Sequence, residues 1–363
     1  MKNNKKIRVA ILFGGKSAEH EVSLRSAKNI IDALDKEKYE SILIGIDKTG
    51  RWLPAHSSSL LLDGIKKLNS GVVGGIALLP QENGRIIESQ NNKISRVIDV
   101  VFPVLHGPFG EDGTVQGLLK LANVPFVGSD VIGSAVGMDK DVMKRLLRDA
   151  NIPIAKFLVF DSHERSKIKF SEVKDKLGLP FFIKPANMGS SVGISKVHNI
   201  NEFSPALKEA FNYDRKILIE EFIAGREIEC SVLGNEIPIA SLPGEVFPGE
   251  EFYSYDAKYI DEKGTTFAIP ADLTSEQIEV VQSLAVRTFK VTACEGMARV
   301  DFFLNQEGKF IVSEVNTIPG FTAISMYPKL WEKSGINYSD LVDKLISLAI
   351  DRFKKQGKLK TSK

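Results

Sequence analysis

The chain has 363 residues, 43% hydrophobic and 26% charged, with a formal net charge of +2; that mixture excludes a disordered or fibrous chain, and the length allows two or three domains at ~100–200 residues each. The near-neutral balance, with lysines bunched only in the terminal "KNNKK" and "RFKKQGKLKTSK", argues against a nucleic-acid footprint. No stretch approaches the ~18 continuous apolar residues of a spanning helix, and the two cysteines, Cys230 and Cys294, are too few for a disulfide framework, so a soluble, cytoplasmic protein with neither a membrane nor a nucleic-acid partner is expected.

The opening "MKNNKKIRVAILFGG" is basic and then apolar, but no small-residue cleavage site follows, and it reads as a charged tail and a first buried strand. After its glycines, Ala27, Ile30, Ile31 and Leu34 recur at helical spacing, and "YESILIGID" is a second strand. Residues 55–95, rich in serine, glycine and asparagine, read as an irregular insertion. "VIDVVFPVL" resumes the sheet, "HGPFGEDG" is a loop, and "TVQGLLKLA" is a short helix before "VPFVG". This is an open α/β pattern, whose ligand-facing residues belong in loops beyond the strand ends. From residue 129 the texture changes to two helices, with Ser129 and Asp139 as N-caps. Strands "IAKFLVF" and "LPFFIKP", a glycine-serine loop, a helix near 201–211 and the strand "KILIEEFI" follow. The last part offers hairpin strands "REIECSVLG" and "EIPIASL", a polar-aromatic loop at 243–266 and a helix from about 274 to 290. The strand pair "GMARVDFFL" and "KFIVSEVNT" and a closing amphipathic helix end the chain.

The final strand pair carries chemistry. Alternate residues share a face of a strand, about 7 Å apart, so Glu314 and Asn316 of "SEVNTIPG" point the same way. The turn "NQEG" would pair Leu304 with Lys309, which sets Arg299 opposite Glu314 and Asp301 diagonally beside it. One face then offers two carboxylates, an amide oxygen and a guanidinium, while Val300, Phe302, Leu304, Phe310 and Val312 make the other apolar. Oxygen ligands without histidine or cysteine favour Mg²⁺ or Mn²⁺ over zinc, with the shell completed by phosphate oxygens. A salt-bridge network around Arg299 is the competing reading.

"GGKS" at 14–17 fails as a P-loop, because Ala10 stands where the motif needs glycine, and no dinucleotide fingerprint accompanies the first strand. The better phosphate site is "IKPANMGSSVGISKV", a strand, a lysine and a loop of small residues whose N–H groups can wrap anions. Lys184 adds a fixed charge there, and Ser190 and Ser191 add donors.

"IKPANMGSSVGISKV", "LIEEFIAGREIEC", "ARVDFF" and "SEVNTIPGFT", in this order, resemble the ATP-grasp ligases. "LFGGKSAEHEVSLRSA", "LHGPFGEDGTVQGLL", "GSAVGMDK" and "YSYDAKY" narrow the resemblance to the D-alanine–D-alanine ligase family. The resemblance implies a fold that is α/β and α+β: an N-terminal open parallel-sheet, Rossmann-like substrate domain at 1–128, then a two-domain ATP-grasp fold at 129–223 and 224–363, with a lid at 243–266. It implies ATP-dependent ligation of two D-alanines through a D-alanyl phosphate, for peptidoglycan precursor synthesis, by a homodimer. Asp301, Glu314 and Asn316 match ligands of Mg²⁺ or Mn²⁺, two ions in all. Lys140, Lys184, Ser190, Ser191 and Lys258 match phosphate contacts, and Glu220, Phe222, Ile223 and Glu227 match the adenosine site. Glu19 matches the carboxylate on the first substrate's ammonium, with His106 beside it; Ser325 and Met326, with the Gly320 backbone, match the second-substrate end. Glu19, Ser190 and Tyr259 match a hydrogen-bonded trio, and Arg299 and the Gly320 N–H match oxyanion stabilisers.

A D-alanine–D-lactate ligase of the same fold is the close alternative, against which the "YDAKY" lid pattern speaks. A non-catalytic nucleotide-binding regulator would show gaps among Lys184, Arg299, Asp301, Glu314 and Asn316, all of which are present. An NAD-linked oxidoreductase lacks its glycine fingerprint.

Overall fold

The structure, a computed structural model, describes residues 5–63, 75–88, 93–248 and 265–360. Its first strand, β1 (Ile7–Gly14), leads into α1 (His20–Ala33), β2 (Tyr39–Ile46), α2 (Ala55–Leu62) and three short strands, β3 (Ile76–Leu78), β4 (Arg85–Glu88) and β5 (Lys93–Val97). β6 (Val100–Val104) and α3 (Thr114–Leu121) follow. β1 lies between β2 and β6, parallel to both. Its run Val9–Phe13 is fully buried, as an apolar strand covered on both faces must be. β1 ends in Gly14, and Gly15 follows it, at φ of +92° and +101°. A Cβ on Gly14 would stand 2.2 Å from the Ile46 carbonyl oxygen, so only glycine lets the chain turn there. That turn carries residues 16–20 across the carboxyl end of the sheet. The expected irregular insertion instead holds α2 and an antiparallel sheet in the order β3-β4-β5. Leu78 and Ile86 are buried in a core shared with the first sheet, and Ile76 packs against it, a pattern that composition alone conceals.

Next come α4 (Val131–Met138), α5 (Lys140–Asp149), β7 (Phe157–Asp161), α6 (Phe170–Leu177), β8 (Phe181–Pro185), β9 (Ser195–Val197), α7 (Ile200–Tyr213) and β10 (Lys216–Glu221). The strands form one antiparallel sheet ordered β7-β10-β8-β9. Asp139 caps α5 by accepting from the Asp141 and Val142 N–H groups, as expected. α4 is capped by Asp130 and not by Ser129; Ser129 is turned away, its hydroxyl accepting from the Glu295 N–H.

The remaining elements are β11 (Gly225–Gly234), β12 (Ile239–Ala240), β13 (Gly244–Pro248), β14 (Thr265–Ala268), α8 (Ser275–Val291), β15 (Gly296–Asn305), β16 (Phe310–Asn316), α9 (Met326–Lys333) and α10 (Tyr338–Gln356). Their sheet runs β14-β13-β11-β15-β16, with β12 paired to β11. The expected loop at 243–266 is therefore narrower, since β13 and β14 pair at its two ends. The register of the last hairpin also departs from expectation: Leu304 faces Phe310, not Lys309. Asn305 accepts from the Glu307 and Lys309 N–H groups through its side chain, and Gly308 takes φ of +76°, a three-residue loop closed by a left-handed glycine. A bulge between Asp301 and Phe302 shifts the register once more, so Asp301 faces Glu314 and Arg299 faces Asn316. Two one-residue slips restore the side-chain face, because the strand period is two.

Candidate active site

The solvent-facing side of the β15–β16 hairpin collects the charges that the sequence suggested. Arg299 Nε and Nη2 donate to the two Asp301 oxygens at 2.7 Å each, and Arg299 also pairs with Glu229 at 3.0 Å. Asn316 Nδ2 donates to Asp301 at 3.0 Å. Burial opposes the Arg299 charge, but Asp301 and Glu229 more than restore it and hold its pKa well above the ordinary arginine value. Behind the face, Val300, Phe302, Leu304, Phe310 and Val312 are buried. Glu229 was not anticipated; the alternation of Glu227 and Glu229 with buried Ile228 and Cys230 is the signal that would have found it.

Facing this hairpin is the glycine-serine loop. A recess of about 160 Å³ between them is lined by Lys140, Lys184, Ser190, Ser191, Glu220, Phe222, Ile223, Glu227, Asp301 and Glu314. Every described residue assigned from sequence to the nucleotide thus borders one cavity, together with Phe182 and Phe303, which were not. Ser190 and Ser191 sit at φ of +51° and +60°, a region costly for non-glycine residues and typical of sites where backbone N–H groups are aimed. Lys140 Nζ donates to the Met188 carbonyl at 2.5 Å. Burial lowers its pKa, and Glu314 works against that shift. Glu220 is nearly inaccessible: Lys184 reaches one oxygen at 2.6 Å, and the fully buried Lys144 reaches the other at 2.7 Å. Burial pushes the Glu220 carboxyl up, yet Lys144 and Lys184 together hold it below the usual range. Lys144 escaped the sequence reading because a lysine on an amphipathic helix looks solvated.

A second recess continues from the first, sharing Gly189, Ser190, Glu229 and Glu314 with it and adding Glu19, His106, Glu111, Arg299, Asn316, Gly320, Ser325 and Met326. Glu19 is buried; its carboxylate lies so close to Gly107 and Gly189 that a Cβ on either would come within 3.5–3.6 Å of it. His106 Nδ1 lies 3.1 Å from the Ile318 carbonyl. A carbonyl only accepts, so Nδ1 carries the proton and Nε2 is left as an acceptor. That buried Nε2 has no hydrogen-bond partner among the described residues. Burial lowers the His106 pKa, with Glu19 pulling the other way. Glu111 is pushed up to about 8, chiefly by burial and next by the Glu19 charge. A Cβ on Gly320 would meet Ser325 Oγ at 2.7 Å, so any larger residue would displace the Ser325 side chain where the chain passes the start of α9.

Lys258 and Tyr259 lie outside the described residues, as does most of the expected lid. The hard-oxygen set of Asp301, Glu314 and Asn316 fits Mg²⁺ or Mn²⁺: two carboxylates face each other across the hairpin in a recess, a pairing that calls for positive charge between them. In this structure Arg299 supplies that charge to Asp301. Among the described residues no cluster of three or more His, Cys, Asp and Glu side chains has metal-site geometry. Cys230 and Cys294 are buried and unpaired, their thiols pushed up by burial to about 12 and about 11, and bear no relation to the site.

Two antiparallel-based sheets facing each other across a cleft of lysines and carboxylates, behind an open parallel sheet, place the molecule in the ATP-grasp class. Family models described as D-ala D-ala ligase N-terminus and C-terminus match residues 8–129 and 146–347. The chain belongs to the D-alanine–D-alanine ligase family. It is 51% identical to the D-alanine–D-alanine ligase of Oceanobacillus iheyensis, over 99% of each chain. It is 49% identical to D-alanine–D-alanine ligase A of Escherichia coli K12, over 98% of this chain and 99% of that one. Among solved structures it is similar to the D-alanine–D-alanine ligase of Coxiella burnetii, with a TM-score of 0.86 and 40% identity over 97% of this chain and 96% of the other. It is also similar to the VanG D-Ala:D-Ser ligase of Enterococcus faecalis, with a TM-score of 0.85 and 35% identity over 95% and 100%.

Proposed function

We infer that the protein is an ATP-dependent carboxylate–amine ligase that joins two D-alanines into D-alanyl-D-alanine, releasing ADP and phosphate. The observation that carries this reading is the wall of Gly189, Ser190, Glu229 and Glu314 common to both recesses, which lets a nucleotide's terminal phosphate in one meet an amino acid in the other. In the first step a carboxylate oxygen of the first D-alanine attacks the γ-phosphorus and ADP leaves, giving D-alanyl phosphate. Lys140 and Lys184 offset the repulsion between the two anions. Asp301, Glu314 and Asn316 would hold Mg²⁺ or Mn²⁺, two ions on this reading, whose charge would be set against the phosphate oxygens. In the second step the free amine of the second D-alanine attacks the acyl carbon; the C–N bond forms, the acyl C–O bond breaks with its electron pair going to phosphate, and the departing phosphate takes up the proton that the nitrogen loses. Arg299 and the Gly320 N–H face the developing oxyanion.

Glu19 takes the first substrate's ammonium, and His106 Nε2, the acceptor left open by its bond to Ile318, lies beside it. Ser325 and Met326, at the start of α9, take the second substrate's carboxylate end, where helix N–H groups favour an anion. Glu220 reaches the nucleotide through Lys184, which it orients, while Phe222, Ile223 and Glu227 border the nucleoside. Ser191 and Lys258 join the phosphate contacts, and Tyr259 closes the trio with Glu19 and Ser190. The units 1–128, 129–223 and 224–363 clamp the substrates, with the lid within 243–266 excluding water from the acyl phosphate. The product feeds peptidoglycan assembly in the cytoplasm. A homodimer forms through the first unit, where Phe109 and Leu121 expose apolar surface.

Coupled ADP release with D-alanine, L-alanine, D-serine and D-lactate in parallel tests the reading. D-alanine alone should release ADP and yield the dipeptide by mass spectrometry. Product formed only when D-lactate or D-serine accompanies D-alanine would overturn it.

A further inference from the structure

The turn that carries Gly320 is held by side chains of the first 130 residues, among them Glu111, which has no part in the ligation steps described so far. The loop after β6 folds back on itself: Gly107 and Phe109 take φ of +74° and +67°, and the Gly110 and Glu111 N–H groups both donate to the Gly107 carbonyl, at 3.1 and 3.0 Å. This geometry turns the Glu111 carboxyl inward. One of its oxygens accepts from the Gly107 N–H at 2.6 Å, and the other accepts from the Ile318 N–H at 3.3 Å. His106, at the other end of the same loop, donates to the Ile318 carbonyl at 3.1 Å. Both polar groups of Ile318 are therefore taken by one short loop.

Three residues later the backbone is pinned again. The Phe321 N–H donates to Ser26 Oγ at 3.1 Å, and its carbonyl accepts from Asn29 Nδ2 at 3.1 Å and from the Tyr338 hydroxyl at 2.7 Å. Pro319 and Gly320 lie between the two anchors, with Gly320 against Ser325. Backbone polar groups in a recess must find partners. Here those partners are side chains, so the position of the turn depends on them.

We propose that Glu111 is a positioning residue of the ligation step: by binding the Ile318 N–H it fixes the Gly320 peptide and the start of α9 against the first-substrate subsite. This rests on the ligase reading, with Gly320 and Ser325 at the second substrate. Glu111 touches neither the nucleotide recess nor the phosphate lysines. Its loss displaces the oxyanion donor and the second subsite while leaving ATP binding as it was. Misplacement by about 1 Å is enough to cost about 10²-fold in rate.

The test compares Glu111→Ala, which removes both acceptors, with Glu111→Gln, which keeps one oxygen and the shape. Steady-state rates against D-alanine concentration give kcat and separate the constants for the two D-alanine sites. Binding of a fluorescent ATP analogue, measured without D-alanine, gives the nucleotide affinity. The expected result is a kcat lowered about 10²-fold in the alanine variant, a raised constant for the second D-alanine, a smaller shift of both in the glutamine variant, and nucleotide affinity within about twofold. If Glu111→Ala does not fold, the glutamine variant decides. Unchanged kcat and second-site constant in Glu111→Gln, or equal weakening of nucleotide and both substrate sites, overturns the proposal. Failure of the unaltered enzyme to make dipeptide would overturn the ligase reading instead, so the two failures are distinguishable.

Discussion

At the scale of single residues, the site is built from polar groups that burial penalises and neighbours rescue. Glu220 shows the logic: its two oxygens are each given to a lysine, so two cations and one anion share a space that water barely enters. His106 is the uncompensated case. Its ring is buried, its Nδ1 proton is committed to Ile318, and burial sets its pKa below the ordinary value of 6.5 despite Glu19. The sign of the stability effect follows from linkage. Below pH 6.5 the unfolded chain takes up a proton that the folded ring refuses, so this contribution is complete above pH 6.5 and is lost as pH falls below it toward the lowered folded value. Replacing the ring by asparagine, His106→Asn, keeps an N–H donor for Ile318 and removes the titration. Urea unfolding midpoints should therefore fall less between pH 7 and pH 5 in the variant than in the unaltered protein. Equal losses in both would show that His106 is already accessible to protons in the fold.

At the scale of elements, the β15–β16 hairpin joins legible sequence to illegible geometry. The face was legible, because side chains alternate on any strand, and Asp301, Glu314 and Asn316 share one side with apolar neighbours on the other. The register was not. It depends on the Asn305 side chain shaping the turn and on an extra residue at Ser313, which breaks the strict alternation and puts Glu314 on the face opposite Val312, two residues before it. The small sheet within residues 55–97 was hidden for a similar reason, since its strands are too short to show a period. Glu111 lies in the quoted motif "HGPFGEDG", but its partner is 207 residues away, a pairing that local pattern cannot reveal. Because the hairpin is held by its apolar side and by Arg299, the substitution Glu314→Gln should leave it folded. A loss of about 10²-fold or more in kcat is expected, with a melting temperature shifted by no more than about 2–4 °C, the equivalent of about 1 kcal/mol. Turnover near that of the unaltered enzyme at ordinary Mg²⁺ would remove Glu314 from the cation site.

At the scale of the whole molecule, the two ends of the chain share a core. Val9, Phe13 and Phe102 of the first sheet pack in one cluster with Phe321, Tyr327, Trp331, Leu341 and Leu345. The Phe102 and Phe321 rings meet edge to face, 5.8 Å between centroids. Arg352 near the end of α10 is buried and donates to the carbonyls of Phe126, at 2.8 Å, and Gly128, at 2.5 Å. Its guanidinium also lies over the Phe126 ring. Residues of β1, α1 and β6, the elements that lead to Glu19 and His106, are thus packed against the C-terminal helices, while the nucleotide recess lies between later sheets. This arrangement makes the first-substrate subsite dependent on the end of the chain. A fragment of residues 1–128 alone would expose the apolar side chains that α9 and α10 cover, leaving a small core with too little buried area to offset chain entropy. It is expected to show no cooperative thermal transition by circular dichroism and a poorly dispersed amide spectrum, whereas the full chain unfolds cooperatively. A sharp transition and a dispersed spectrum from the fragment would show that the first sheet carries a sufficient core of its own, and the dependence of its substrate site on the C-terminal helices would have to be given up.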